Sequence, residues 1–224
     1  MEHKRLTLFA GHYGSGKTNL AVNYALQLAK EGKKVCIADL DIVNPYFRTK
    51  DSAEDLRNAG VELISPQFAN SNVDLPALPA ETYRLVQDKC IYGIMDIGGD
   101  DRGAYALGRY APFLKEEGQY RMVFVANCYR PLTKTAEDTL EVMREIESAC
   151  GLSFTHIVNN SNLGNETTPE TVLASGEYIR QLCSLSGLPL WFHSVKAELF
   201  PDLEEKLPVV FPMTLQKKYF DLPI

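Results

Sequence analysis

The sequence predicts an α/β fold: a single domain built on a doubly wound, mostly parallel sheet flanked by helices. Three observations lead to it. Short apolar runs alternate with longer stretches in which apolar residues recur every three or four positions. Each longer stretch can act as the crossover between two parallel strands. Glycines, aspartates and asparagines follow directly on the apolar runs, at the strand ends where ligands gather in such sheets. A chain of 224 residues suits one such domain, with a core over about residues 5–195 and a C-terminal extension over 196–224.

The elements follow in order. Residues 5–10 (RLTLFA) read as a first strand that runs into Gly11. Leu20, Tyr24 and Leu28, with Ala21 and Ala25 beside them, give residues 17–31 one apolar helical face, and Gly32 is a suitable stop. Strands are expected at 34–41 (KVCIADLD) and 61–64 (VELI). Residues 65–81 are rich in Asn and Pro and read as a long loop before a helix over 81–88. A strand ends at Ile97, a helix covers 102–117, and a strand covers 121–127. A helix over 135–150 closes at Gly151, and a strand covers 154–160. One helix is expected over 168–185 despite Gly176, and residues 188–195 form the last strand candidate. The tail from Pro201 carries four prolines and little periodicity.

Composition excludes several function classes. The formal net charge of -6 disfavours a broad nucleic-acid surface, because phosphate backbones need clustered cations. No segment approaches the ~20 apolar residues that span a bilayer, and no targeting signal is evident, so a cytoplasmic protein is expected. The five cysteines, Cys36, Cys90, Cys128, Cys150 and Cys183, form no Cys-x-x-Cys pair and read as reduced thiols. Only Cys128 could meet its twin across a dimer.

Four motifs carry the chemistry. Gly11, Gly16, Lys17 and Thr18 match G-x-x-x-x-G-K-[ST], between a strand and a helix as a phosphate-binding loop requires. Gly14, Ser15, Gly16 and Asn19 complete the expected nucleotide-binding set around it. The glycines let backbone N–H groups face phosphate oxygens, Lys17 reaches the β- and γ-phosphates, and Thr18 offers its hydroxyl to Mg²⁺. Asp39 and Asp41 stand two apart at a strand end, so both side chains face the phosphates. Asp39 suits a magnesium shell, and Asp41 suits the orientation of an attacking water. Asp96 ends another strand before Gly98 and Gly99, a second metal carboxylate followed by glycines that admit the γ-phosphate. Asn159 ends a fourth strand, where an amide could read the base edge. The residues there are "NNSN", lacking the lysine and aspartate of a guanine-reading N-K-x-D, so adenine is favoured.

These motifs together resemble the MinD/ParA class of P-loop ATPases, within the larger group that also holds nitrogenase iron protein and nickel-insertion GTPases. The resemblance runs from about residue 6 to 195 and implies the P-loop NTPase fold. By position, "DLDIVNPYF" looks like the first switch of that class, with Asp41 as the water-positioning residue, and "DIGGDDRGAYALG" like the second. "VFVANCYRP" resembles the next strand and loop, Asn159 the adenine-facing asparagine, and "WFHSVKAEL" the loop over the base. The implied activity is Mg·ATP binding and slow hydrolysis by a nucleotide-dependent homodimer that acts as a switch on an unidentified protein partner, in enzyme or cofactor maturation.

Two departures qualify the resemblance. The class usually carries at the second loop position a lysine that reaches the other subunit's nucleotide, where this chain has His12; Arg48, Arg102 and Arg130 are candidates for the trans-acting cation. The paired cysteines of cluster-carrying relatives are missing after Asp96, so no iron–sulfur cluster is expected. With only Lys217 and Lys218 as cations, the tail makes no strong case for a membrane-surface helix. Two other readings stand beside the switch: an ATP-dependent small-molecule ligase or kinase, and a GTP-dependent metallochaperone.

Overall fold

Alternating side-chain direction sorts the buried strand residues onto two faces of one sheet. Leu6, Leu8 and Ala10 pack into one apolar layer, and Phe9, between them, packs into the other. A computed structural model describes residues 2–41, 49–65, 80–99 and 101–215. The strands are β1 (Leu6–Ala10), β2 (Val35–Leu40), β3 (Glu62–Ile64), β4 (Tyr92–Ile97), β5 (Tyr120–Ala126), β6 (His156–Asn159), β7 (Leu190–Lys196) and β8 (Val210–Met213). They form an eight-stranded sheet in the order β3-β2-β4-β1-β5-β6-β7-β8, and every described pairing is parallel. All carboxyl ends therefore lie along one edge.

Helices cover both faces, as buried parallel strands require. Helices α1 (Lys17–Lys30) and α2 (Ala53–Asn58) pack on the layer of Phe9, Ile37, Ile94 and Val125. On the other face lie α3 (Tyr83–Gln87), α4 (Asp101–Gly108), α5 (Ala111–Glu117) and α6 (Ala136–Cys150). Helices α7 (Pro169–Ala174) and α8 (Gly176–Ser186) follow, and α8 joins that layer through Tyr178, Ile179 and Leu182. Helix α9 (Phe200–Leu203) belongs to a small cluster with Val172 and Val195. No helix among the described residues is long and apolar enough to cross a membrane.

Three expectations change. The helix expected over 102–117 is two helices, α4 and α5, because Pro112 starts the second and cannot sit inside the first. The helix expected over 168–185 breaks at Ser175, whose hydroxyl donates to Val172 O at 2.6 Å, beside the weak helix former Gly176. The proline-rich tail contributes β8, so the sheet runs past residue 195. Pro212 is tolerated because β8 is an edge strand, where a missing N–H leaves no ladder bond open.

An aromatic pair packs the layer over the central strand β5. Phe124 of β5 meets Phe154 edge-to-face at 5.2 Å between ring centres, and it is fully buried. Phe124→Ala is expected to lower unfolding free energy by about 3–5 kcal/mol, measured by urea denaturation.

Candidate functional site

The edge where the strands end carries every motif. β1 stops at Gly11, and the chain turns through residues 11–16 into α1. Gly16 holds φ 91° at the helix start and brings no side chain to cap it, so the end suits an anion. A Cβ there would also collide with the amide of Asn160. Asn160, just past β6, donates from Nδ2 to Ser15 O at 2.6 Å, and its Oδ1 accepts from Ser194 Oγ at 2.6 Å. The loop is thus tied to β6 and β7 on one side. Lys17 is buried in the loop and donates from Nζ to His12 O at 3.2 Å.

The opposite side of the loop meets the second glycine pair. A Cβ on Gly99 would stand 2.7 Å from Tyr13 N and 2.9 Å from Lys17 Nζ, so only glycine lets this segment lie so close. Gly98 lies against Asp41 and Gly103 in the same way. Tyr13, Lys17 and Gly99 thereby lie together, with Asp41 against the neighbouring Gly98.

The carboxylates come together through the register of two neighbouring strands. β2 and β4 pair so that Asp39 lies directly beside Asp96. Asp39 Oδ1 accepts from Asp41 N at 3.0 Å, which fixes the turn out of β2. Asp96 accepts from Thr49 Oγ1 at 3.1 Å through Oδ2, while its buried Oδ1 makes no hydrogen bond. Burial pushes the Asp96 carboxyl up to about 6; the Thr18 hydroxyl, the Lys17 charge and Thr49 oppose that rise, and the Asp41 charge adds to it. A buried carboxylate oxygen without a partner, beside the Thr18 hydroxyl, fits a hard divalent cation such as Mg²⁺. Among the described residues no three His, Cys, Asp or Glu side chains converge as a self-sufficient metal site. Water and phosphate oxygens are the natural remaining ligands.

The end of β6 differs from the expectation for Asn159. Asn159 is fully engaged inside the protein. Its Nδ2 faces Ser175 Oγ at 2.8 Å and His193 Nδ1 at 3.0 Å, and its Oδ1 accepts from Ser161 N at 3.1 Å. The amide beside the loop belongs to Asn160, one position on. A shallow, narrow pocket opens there, lined among others by Asn160, Asn162, Ser194, Lys196 and Met213. No aspartate or glutamate lines it. The sequence signal for Asn160 was the second asparagine of "NNSN"; period two cannot choose between neighbours at a strand end.

Several expected contributors fall elsewhere. Arg48 and most of the first-switch stretch, residues 42–48, lie outside the described residues, as do the 66–79 loop, Lys217 and Lys218; the Arg102 side chain is not described either. Arg130 lies against Gly14. Asn19 sits in the first turn of α1. Cys128 is half-buried, and its backbone N–H donates to Ser161 Oγ at 3.2 Å.

Comparisons with known proteins agree on the architecture. No family model matches the chain. A stretch of 52 residues, 23% of this chain, is 46% identical to an iron-sulfur cluster carrier protein of Salmonella typhimurium and covers 14% of it. Among solved structures, FtsY from Mycoplasma mycoides superposes with a TM-score of 0.58 at 18% identity, covering 87% of this chain and 62% of that one. The signal recognition particle 54 kDa protein of Aeropyrum pernix, solved with GDP, gives 0.53 at 16% identity, covering 84% and 40%. The chain spans less than two thirds of the length of each of these proteins. These likenesses establish the fold, an α/β fold of the P-loop NTPase kind.

Two measurements check this geometry. A carboxyl raised above its unfolded value stabilises the fold in acid and loses that contribution as pH rises from 3.8 to about 6. Asp96→Asn should therefore raise the stability of the nucleotide-free protein at pH 7.5 by about 1–3 kcal/mol in urea, while abolishing any Mg²⁺ dependence of nucleotide binding. Asn160→Ala should weaken nucleotide binding by about tenfold or more in calorimetry, because it frees Ser15 O and Ser194 Oγ together.

Proposed function

We propose that this protein binds Mg·ATP in the loop over residues 11–18 and hydrolyses it slowly, as a nucleotide-dependent dimerising switch on a protein partner. One observation carries the reading: the phosphate loop, Lys17 and the unpartnered Oδ1 of Asp96 occupy one edge, beside an acid-free pocket.

In this mechanism the N-terminus of α1 and the loop backbone bind the phosphates, and Lys17 neutralises charge at the β- and γ-phosphates. Thr18 and Asp96, with Asp39 beside Asp96, would hold Mg²⁺, which when bound offsets the charge on the bridging oxygens. Asp41 is buried next to Gly98 and orients the water that attacks the γ-phosphate. Gly99 brings backbone to the same phosphate.

Adenine is supported by the chemistry of the pocket. Guanine presents N–H donors on its Watson–Crick edge and wants a carboxylate acceptor there. The stretch from Asn160 onward reads Asn, Ser, Asn and Leu, and no acidic side chain lines the pocket. Asn160 and Asn162 are held by hydrogen bonds within the protein, so what speaks against guanine is the lack of a carboxylate at this place. The structure of the A. pernix protein with GDP keeps GTP as the second reading.

Dimerisation is supported by what surrounds the loop. Tyr13, Tyr105 and Leu132 are exposed large apolar side chains on the phosphate loop, on α4 and just after β5. The short likeness to an iron-sulfur cluster carrier supports a partner that receives a cofactor. Our reading remains that this chain holds no cluster itself, because its five cysteines include no Cys-x-x-Cys pair.

Direct binding tests the proposal. The protein should bind ATP at least tenfold more tightly than GTP, Lys17→Ala should lose binding, and Asp41→Ala should retain binding with turnover reduced about 100-fold. Sedimentation should show a larger mass with a non-hydrolysable ATP analogue than with ADP. Tighter GTP binding would replace the adenine reading, and unchanged mass would remove the dimerising switch.

A further inference from the structure

Arg130 stands in an unusual place for an arginine. It follows β5 in a turn that three hydrogen bonds hold: Arg130 N donates to Asn127 O at 3.2 Å, Thr133 N to Arg130 O at 3.1 Å, and Thr133 Oγ1 to Asn127 O at 2.7 Å. Asn127 is fully buried and also takes the Tyr129 N–H on its Oδ1 at 3.0 Å. Pro131 restricts the residue before it to extended backbone, and Arg130 adopts φ -106° and ψ 141°. The direction of its side chain is thus set by a rigid base.

That side chain lies along the phosphate loop. A Cβ on Gly14 would stand 3.6 Å from Arg130 Nε, 3.7 Å from Cδ and 3.9 Å from Cζ. The Nε atom is buried and has no hydrogen-bond partner, and among the described residues Arg130 makes no ion pair. A buried guanidinium N–H without an acceptor is unfavourable, and an anion in the loop would relieve it. Arg5 Nη2 and Arg121 Nε are also buried without a partner, but Arg5 is held by Glu117 and Leu85 O and the Arg121 guanidinium lies over the Trp191 ring at 4.1 Å, whereas Arg130 lies along the phosphate loop.

The position along the loop says which phosphate. The Ser15 and Gly16 end is tied to Asn160 and the pocket, which is the base side. The Tyr13 end lies against Gly99 and Lys17 Nζ, the side of the metal carboxylate. Gly14 adjoins Tyr13. We infer that Arg130 contacts the terminal phosphate of the nucleotide bound by its own chain, rather than acting across a dimer as the lysine missing at His12 would. This rests on the nucleotide-binding reading above. An arginine suits the task better than a lysine, because its planar fork can meet two phosphate oxygens at once.

The test compares triphosphate with diphosphate. Binding of a non-hydrolysable ATP analogue and of ADP, each with Mg²⁺, is measured by calorimetry for the parent, Arg130→Gln and Arg130→Lys. Melting of the free proteins is followed alongside. Arg130→Gln should weaken the analogue about tenfold or more and ADP less than threefold. Arg130→Lys should recover part of the loss, with the melting temperature of the free proteins unchanged or raised. Equal loss for both nucleotides, or none for either, would overturn the inference while leaving nucleotide binding intact. Recovery of Arg130→Gln turnover on mixing with Lys17→Ala protein would also overturn it, by showing that the arginine acts across a dimer. Failure of the parent to bind either nucleotide would instead remove the reading on which it rests.

Discussion

The site turns on a carboxylate that the fold buries before it has a full set of partners. Asp96 lies at the end of a central strand, packed between β1 and β2, where water cannot reach one of its oxygens. Burial in low dielectric disfavours its charge, and Asp41 nearby makes this worse. Lys17, Thr18 and Thr49 offset only part of that. An arrangement that is unfavourable alone becomes favourable when a cation and its anionic ligand arrive together. Stability and binding are thereby linked through one side chain.

The phosphate loop is the second half of the same arrangement. It is held at one end by Asn160 and pressed at the other by Gly99. These contacts come from β6 and from the segment after β4, on opposite sides of β1 in the sheet. The loop therefore spans the centre of the sheet edge, between Asn160 after β6 and Gly99 after β4. A shift of the Gly98–Gly99 segment would be felt directly at Tyr13 and Lys17, and Tyr13 is exposed.

The fold class was legible because its signals are local and periodic. A strand that ends in Gly11 and a helix that begins at Lys17 announce themselves through residue type and spacing alone. The breaks were less legible. Pro112 could have been read as the start of α5, but Ser175 interrupts a helix through its hydroxyl, which also meets Asn159 from a distant strand. β8 was hidden because prolines argue against strands, and only the edge position, a property of the whole sheet, makes Pro212 acceptable.

By itself the sequence determined the α/β fold, the phosphate loop and the aspartates at the strand ends, because each is encoded in a short window by sterics and charge. Tertiary structure alone decided which asparagine meets the loop. Asn159 and Asn160 are adjacent and chemically identical, and only the packing of β6 against β7 turns one inward to His193 and the other toward Ser15. It alone set Asp39 beside Asp96, since register between strands 57 positions apart is not a local property. It also placed Arg130 against Gly14, because that nearness depends on how the turn after β5 folds over a loop far away in sequence.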